Sequence, residues 1–285
     1  MRLLAAITSK RRDSTVSFRQ SAESIDRINA VLANKRLSGE RVEVAFRSDP
    51  DVIASVLPEP LKPAGNDRVT VRVTRWVTNY CGAFTMAGLY VDAVHNGIQG
   101  EYILAMFIDS QDAALLIGRE GFGEPKKMAT IDLVRTQNAF LGTVERQGVR
   151  LMTLHVEAGD DVGPVSGDGA LYSIKATLAL GGGLLGDALL MGQEVHVDSP
   201  VVRPGTGSVV LGGTAHDPLD EFPVLEVLSA SYATSEMGQP KPLGEQYLQA
   251  VIPADVFLPY HYGRLDDWNA HNALDELENG LTGAV

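Results

Sequence analysis

The sequence predicts a mainly β protein with a few helices, built as a closed or doubly layered antiparallel sheet. Three observations lead there. Apolar and polar residues alternate over strand-length runs, as in Val69-Thr70-Val71-Arg72-Val73-Thr74, which is the period of a half-buried strand. Such runs recur to about Thr234, punctuated by turn-forming stretches such as Gly181-Gly182-Gly183. Helical periodicity is clear in only two segments, both near the start. Short strands at regular spacing are the pattern of sandwiches and barrels.

Taken in order, Ser21 to Asn34 predicts an amphipathic helix: Ile25, Ile28, Val31 and Leu32 recur at helical spacing, and Ser21 suits the N-cap. Arg41 to Phe46 alternates as a strand does. Asp49-Pro50 starts a second helix with Val52, Ile53, Val56 and Leu57 on one face, and Pro58 ends it. Pro58 to Pro63 reads as an extended connector. The strands expected after Val69–Thr74 are Glu101 to Asp109, Ala113 to Ile117, Ala139 to Glu145, Val149 to Glu157, Leu171 to Leu180, Glu194 to Val202 and Val224 to Thr234. Ala158 to Gly169 reads as a loop and Gly205-Thr206-Gly207 as a hairpin turn. From Gly263 the chain turns acidic, suggesting a surface helix or loosely held tail. The expected organisation is one domain over 1–285, with 1–38 as an N-terminal helical extension and 263–285 as a tail.

Composition narrows the function. Of 285 residues, 45% are hydrophobic and 21% charged, as in ordinary globular proteins. A net charge of −12 disfavours nucleic acid or an anionic membrane as partner. With Cys81 as the one cysteine, an internal disulfide and a thiolate metal cluster are excluded. Leu3 to Ile7 is too short for a signal-peptide core and precedes its basic residues, Lys10-Arg11-Arg12. No apolar run reaches the roughly 18 residues of a membrane span. A cytoplasmic protein without a membrane partner is expected.

The run Gly118-Arg119-Glu120-Gly121-Phe122-Gly123-Glu124-Pro125-Lys126-Lys127 carries the chemistry. Two lysines stand side by side after a proline, at the end of an apolar stretch. Like charge and desolvation both lower a lysine pKa, and a neutral amine is a nucleophile that forms a Schiff base with a ketone. Neighbouring side chains on an extended backbone point to opposite faces. One lysine is therefore expected in the pocket, with the other alongside it supplying field.

These residues, with others in the same order, carry a resemblance. Arg47-Ser48-Asp49, Val56 to Leu61, Asn96 to Tyr102, Gly118-Arg119-Glu120, Pro125-Lys126-Lys127, Leu141-Gly142-Thr143, Pro218 to Val224 and Glu226 to Ser231 are similar to segments of the acetoacetate decarboxylase family, between about Glu40 and Thr234. The resemblance implies an acetoacetate decarboxylase-like barrel or double antiparallel sheet, a homo-oligomer, no cofactor and a small keto acid as substrate. Lys126 would be the Schiff-base lysine and Lys127 the neighbour that activates it, a form of lysine activation for which that family is a known example.

Departures from the family pattern redirect the expected reaction. The catalytic glutamate of decarboxylating members falls at Met86, in Cys81 to Ala87, where no carboxylate stands. A second family glutamate falls at or near Val71. The substrate-binding arginine falls at Gly39, with Arg36 and Arg41 only near it. The expected activity is therefore a cofactor-independent Schiff-base lyase of the aldolase-dehydratase type. The alternatives are a decarboxylase with a relocated carboxylate and a non-catalytic ligand-binding protein on the same fold. Glu124 reads first as an ion-pair partner of Lys127 and second as that relocated acid/base; paired with Lys126 instead, it would raise that lysine's pKa and work against nucleophilicity. Arg119 and Glu120 are candidate substrate-binding residues or a structural pair.

Other constellations yield less. Glu124 stands where a phosphate-binding loop needs lysine, and Ser166 is not in a nucleophile elbow. The six histidines lack paired ligand spacing, so no metal is expected. His196 with Asp198 and His216 with Asp217 read as strand and loop polar residues, Lys175 as an outward-facing strand residue, and Tyr260-His261-Tyr262 as a cluster that can line a pocket.

Overall fold

A computed structural model describes residues 18–264; the expected signals in the first twelve residues and nearly all of the expected tail lie outside that range. The chain divides into two units, 1–34 and 35–285. In the first, α1 (Ala22–Ala33) is the expected helix, capped where Ser21 Oγ accepts the Ser24 N–H at 3.2 Å.

The second unit opens with β1 (Leu37–Arg47), then α2 (Pro50–Val56), whose first turn is fixed by Asp49 accepting the Asp51 N–H at 2.8 Å. A two-residue β2 (Lys62–Pro63) leads into the meander β3 (Arg68–Thr78), β4 (Gly82–His95) and β5 (Ile98–Ile108). Ala113–Ile117, expected as a strand, is instead α3 (Asp112–Leu116), which runs into a π-helical turn at Ile117–Phe122. A five-residue apolar run fits either state. Here the chain must cross over to bring β6 (Lys126–Met128) parallel to β5, and a helical turn supplies the crossover.

Then follow β7 (Thr130–Thr136), β8 (Ala139–Arg146), β9 (Val149–Ala158), β10 (Val165–Lys175), β11 (Ala188–Ser199) and β12 (Val202–Leu211). The last part of the expected Ala158–Gly169 loop, from Val165 on, is therefore already strand. Gly205-Thr206-Gly207 is mid-strand rather than a turn. Small residues are needed there because a Cβ on Gly207 would stand 2.7 Å from the Ala230 Cβ. The hairpin β13 (Gly213–Thr214) and β14 (Asp217–Pro218) precedes a 3-10 turn at Leu219–Glu221. Next are β15 (Glu226–Met237), β16 (Lys241–Pro242), β17 (Leu248–Ile252) and α4 (Ala254–Arg264).

The sheet closes on itself. Its path runs β11-β10-β5-β4-β3-β1-β15, and β15 pairs again with β11 through Val197 with Met237 and Asp198 with Glu236. Seven strands thus enclose a barrel. The antiparallel expectation holds around this path except at β5, which pairs in parallel with β10 at Leu171–Tyr172 and with β6 at Lys126–Met128. From β15 the sheet continues through β12, β9, β8 and β7 as a second layer.

Alternation separates the two faces of the barrel wall. Outward residues Val42, Val44, Val71, Val73 and Leu89 join Phe140, Val144, Met152, Leu154 and Val156 of the second layer in one fully buried core. Inward residues line a cavity. Phe140 stacks on Tyr232 at 4.2 Å between centroids. Phe140→Ala is expected to cost about 3–5 kcal/mol, measured by denaturant unfolding.

Candidate active site

The barrel interior holds a cavity of about 640 Å³ to which all seven strands contribute, through Arg41, Arg72, Tyr90, Glu101, Leu171, Gln193 and Met237 among others. Lys126 enters it from β6, which continues the wall beside β5 where β10 stops, opposite Met106. The lysine is buried, 8% exposed.

The π-helical turn builds the surroundings of Lys126. Gly123 closes the turn in the left-handed region at φ 75°, where a Cβ would lie 2.5 Å from the Lys175 backbone; only glycine meets both demands. Gly118 presents its bare Cα to the amine: a Cβ there would stand 2.6 Å from Lys126 Nζ and collide with Glu124 Oε2. Lys126 Nζ donates to the Ala114 carbonyl at 3.2 Å. Its ion-pair partner is Glu124, with Oε2 at 2.7 Å. That oxygen is buried and accepts no aligned hydrogen bond, so its lone pairs remain available. The expected Glu124–Lys127 pair is corrected here: the turn folds Glu124 back to the barrel side of the strand, the side Lys126 occupies.

Lys127 points the other way, as alternation requires. Its Nζ donates to Asp217 Oδ1 at 2.6 Å and to the His216 carbonyl at 2.8 Å, and Arg146 holds the second Asp217 oxygen at 2.9 Å. The field that Lys127 was expected to lend is directed at Asp217 on the reverse face, beside a smaller cavity of about 300 Å³ that Tyr260 also lines. Arg119 and Glu120 lie on the outer side of the turn and do not line the barrel cavity. The cation near Glu124 is Lys35, at the cavity wall, hydrogen-bonded to Gln239 Oε1 at 2.9 Å. Burial pushes its amine below the ordinary lysine range, opposed by Glu124.

Deeper along the wall is a second polar group. Arg72 forks onto both oxygens of Glu101 at 2.5 and 2.6 Å and also pairs with Glu43. Burial pushes Glu43 up, but Arg72 and Arg41 outweigh it and hold the carboxylate below its usual range. The Arg72 guanidinium lies over the Tyr90 ring at 4.6 Å, and burial pushes the Tyr90 phenol up. Arg41 lines the same region with its Nε buried and unbonded.

Each position singled out by resemblance now has a place. Met86 lines the cavity and accepts the Trp76 Nε1–H at 3.2 Å. Val71 faces the core, and its neighbour Arg72 takes the cavity side. Gly39 packs its Cα on the Arg75 backbone, leaving no room for a side chain, and Arg41, two residues on and on the same face, lines the cavity. Arg72, Glu101, Glu43, Tyr90 and Lys35 were not read from the sequence. Arg72 and Tyr90 alternate with core valines, a usable signal only once the buried face is known.

On β10 and β11, Ser166, His196, Asp168 and Asp198 form an exposed cluster, of which the sequence reading held only the His196–Asp198 pair. His196 Nδ1 meets Asp168 Oδ1 at 2.7 Å, and the hydrogen bond from Asp168 raises the imidazole pKa above its ordinary value. Ser166 gives its proton to Asp198 at 2.6 Å, which leaves the histidine no hydroxyl proton to withdraw. All four side chains are exposed, so the cluster is surface polarity.

The closed barrel thus brings a buried lysine and a carboxylate together on the wall of one cavity. The chain belongs to the acetoacetate decarboxylase family, whose profile, described as Acetoacetate decarboxylase (ADC), matches residues 26–243. It is 31% identical over 216 residues to the acetoacetate decarboxylase of Chromobacterium violaceum, covering 70% of this chain and 82% of that one. Its fold is similar to the Legionella pneumophila acetoacetate decarboxylase, with TM-score 0.68, 19% identity, and 77% and 88% of the two chains covered. It is also similar in fold to the enduracididine biosynthesis enzyme MppR complexed with pyruvate, with TM-score 0.62, 17% identity, and 74% and 91% covered.

Two outcomes follow from this geometry. Asp217→Asn leaves Lys127 and Arg146 as adjacent buried cations and should cost about 3–5 kcal/mol in denaturant unfolding. Gly118→Ala forces apart the Lys126–Glu124 contact and should cost about 1–3 kcal/mol by overpacking, read from the same titration.

Proposed function

We propose that the protein is a cofactor-independent, imine-forming carbon–carbon lyase acting on a small keto acid, with Lys126 as nucleophile and Glu124 as its acid/base partner. The observation that carries this is Glu124 Oε2 at 2.7 Å from Lys126 Nζ inside the barrel. Glu124 is placed to take the proton that Lys126 must lose before attack. The amine adds to the ketone carbonyl, and Glu124 returns the proton as water leaves, giving a protonated imine. That imine draws electrons from the adjacent carbon. Glu124 then removes a proton from that carbon to give an enamine, which adds to an aldehyde. Loss of the resulting hydroxyl as water and hydrolysis of the imine release the product and restore Lys126.

Decarboxylation is the second reading, favoured by the relatives that carry that name. There the β-carboxylate of the imine leaves as carbon dioxide, its electron pair forms the enamine, and the carbon is protonated by Glu124 once that carboxylate has taken a proton from solvent water. Glu124 would then be the relocated carboxylate. Further parts of the proposal are a homo-oligomeric assembly and a cytoplasmic site of action. Lys127 is paired with Asp217 on the reverse face and acts through the rigidity of β6.

Incubation with pyruvate or acetoacetate and borohydride should add the reduced substrate's mass to the protein, and Lys126→Ala should abolish the adduct. An adduct that survives this substitution would overturn the assignment. Glu124→Gln should lower turnover about 10²–10⁴-fold while leaving the adduct site at Lys126. Carbon dioxide released from acetoacetate, against condensation product from pyruvate with an aldehyde, separates the two reactions.

A further inference from the structure

The condensation proposed above also needs a donor for the charge that grows on the aldehyde oxygen as the new bond forms. Donors placed where charge develops supply much of the catalysis in buried sites. Met86 has no proton to offer and already accepts the Trp76 Nε1–H. The register of the barrel wall points elsewhere. Gly88 on β4 pairs with Met106 on β5, and Met106 pairs with Lys126 on β6, so the three form one row across the wall. Tyr90 is two residues along β4 from Gly88 and on the same face. Its ring lies back over that glycine: a Cβ on Gly88 would stand 2.8 Å from the ring and 2.8 Å from the hydroxyl oxygen. The bare glycine thus lets the Tyr90 hydroxyl rise into the row of Lys126, two strand spacings of about 4.8 Å along it. Met106, which separates them in that row, packs with Tyr90 in one cluster.

Three properties suit this hydroxyl to a donor's role. Tyr90 is buried, lines the cavity and makes no hydrogen bond among the described residues. Its ring is held in place, because the Arg72 guanidinium lies over it at 4.6 Å and is itself gripped by Glu43 and Glu101. Burial keeps the phenol above its ordinary range, against the lowering effect of Arg72. It therefore remains an O–H donor at neutral pH.

We propose that Tyr90 is a catalytic hydrogen-bond donor to the oxygen of the second reactant, an aldehyde that meets the enamine formed at Lys126. This rests on the imine and condensation chemistry proposed above. Outward from Lys126 Nζ come the imine carbon, the nucleophilic carbon, the aldehyde carbon and its oxygen, a chain that leads along the row toward Gly88. In the addition step the enamine carbon bonds to the aldehyde carbon, and the nitrogen lone pair re-forms the protonated imine. The carbonyl π pair moves onto oxygen, which takes from Glu124 the proton earlier removed from the substrate carbon. Tyr90 keeps its own proton and stabilises the oxygen while its charge is greatest. Decarboxylation develops no such oxygen, so the hydroxyl serves condensation alone.

The test uses Tyr90→Phe, which removes the hydroxyl and keeps the ring under Arg72. Exchange of the pyruvate methyl protons for deuterium reports imine and enamine formation without an aldehyde. Condensation of pyruvate with acetaldehyde or benzaldehyde reports the added step. Exchange and the borohydride adduct at Lys126 should be unchanged in the variant, while kcat for condensation should fall about 10²–10³-fold. Unchanged condensation would overturn the donor, and so would an equal fall in exchange and condensation, which marks a role in packing. Exchange without condensation by the unaltered protein would overturn it too, with the imine left standing. Neither adduct nor exchange with the unaltered protein would overturn the imine reading and the donor with it.

Discussion

The cavity exists because two residue pairs, Val197 with Met237 and Asp198 with Glu236, tie β11 to β15. Without that seam the sheet would be an open twisted strip with Gln193 on β11 and Met237 on β15 at opposite ends of a seven-strand run. With it, every inward residue on seven strands shares one enclosed space. The ion pairs of Lys126 and Arg72 are largely buried and so interact more strongly than they would at a surface.

The wall at β5 and β6 separates two electrostatic environments one strand thick. On the barrel side Lys126 meets one carboxylate that accepts no aligned hydrogen bond. On the reverse side Lys127 meets a carboxylate saturated by two cations and held by a hairpin. The first arrangement can exchange a proton; the second is structural. Met106 lines both cavities, which shows how little protein divides them.

Much of the fold was legible in the sequence because alternation survives wherever one strand face is buried and the other is not. Val69 to Thr74 and the Asp49-Pro50 helix start were of this kind. β4 escaped because its residues are buried on both sides, from Phe84 to Val91, so apolar and polar residues do not alternate. α3 was misread because five apolar residues have no period. The lysine pair was legible as chemistry, but its partners were not. Glu124 is two residues from Lys126, yet only the left-handed glycine at 123 turns it inward, and Asp217 is ninety residues away from Lys127. The Arg72–Glu43–Glu101 group draws on three strands, and no local spacing encodes it.

The identity of the two adjacent lysines has a consequence for specificity of folding. A one-residue slip of β6 along β5 would turn each lysine to the other face of the wall and still leave one ammonium on each side. The lysines alone therefore do not distinguish one face from the other. The choice falls to neighbours that are not alike: a bare glycine and a folded-back glutamate on one side, an arginine-clamped aspartate on the other. The duplicated lysine is an ambiguity in the sequence that the surrounding residues resolve, and Gly118 and Asp217 carry positional information for a strand to which neither belongs.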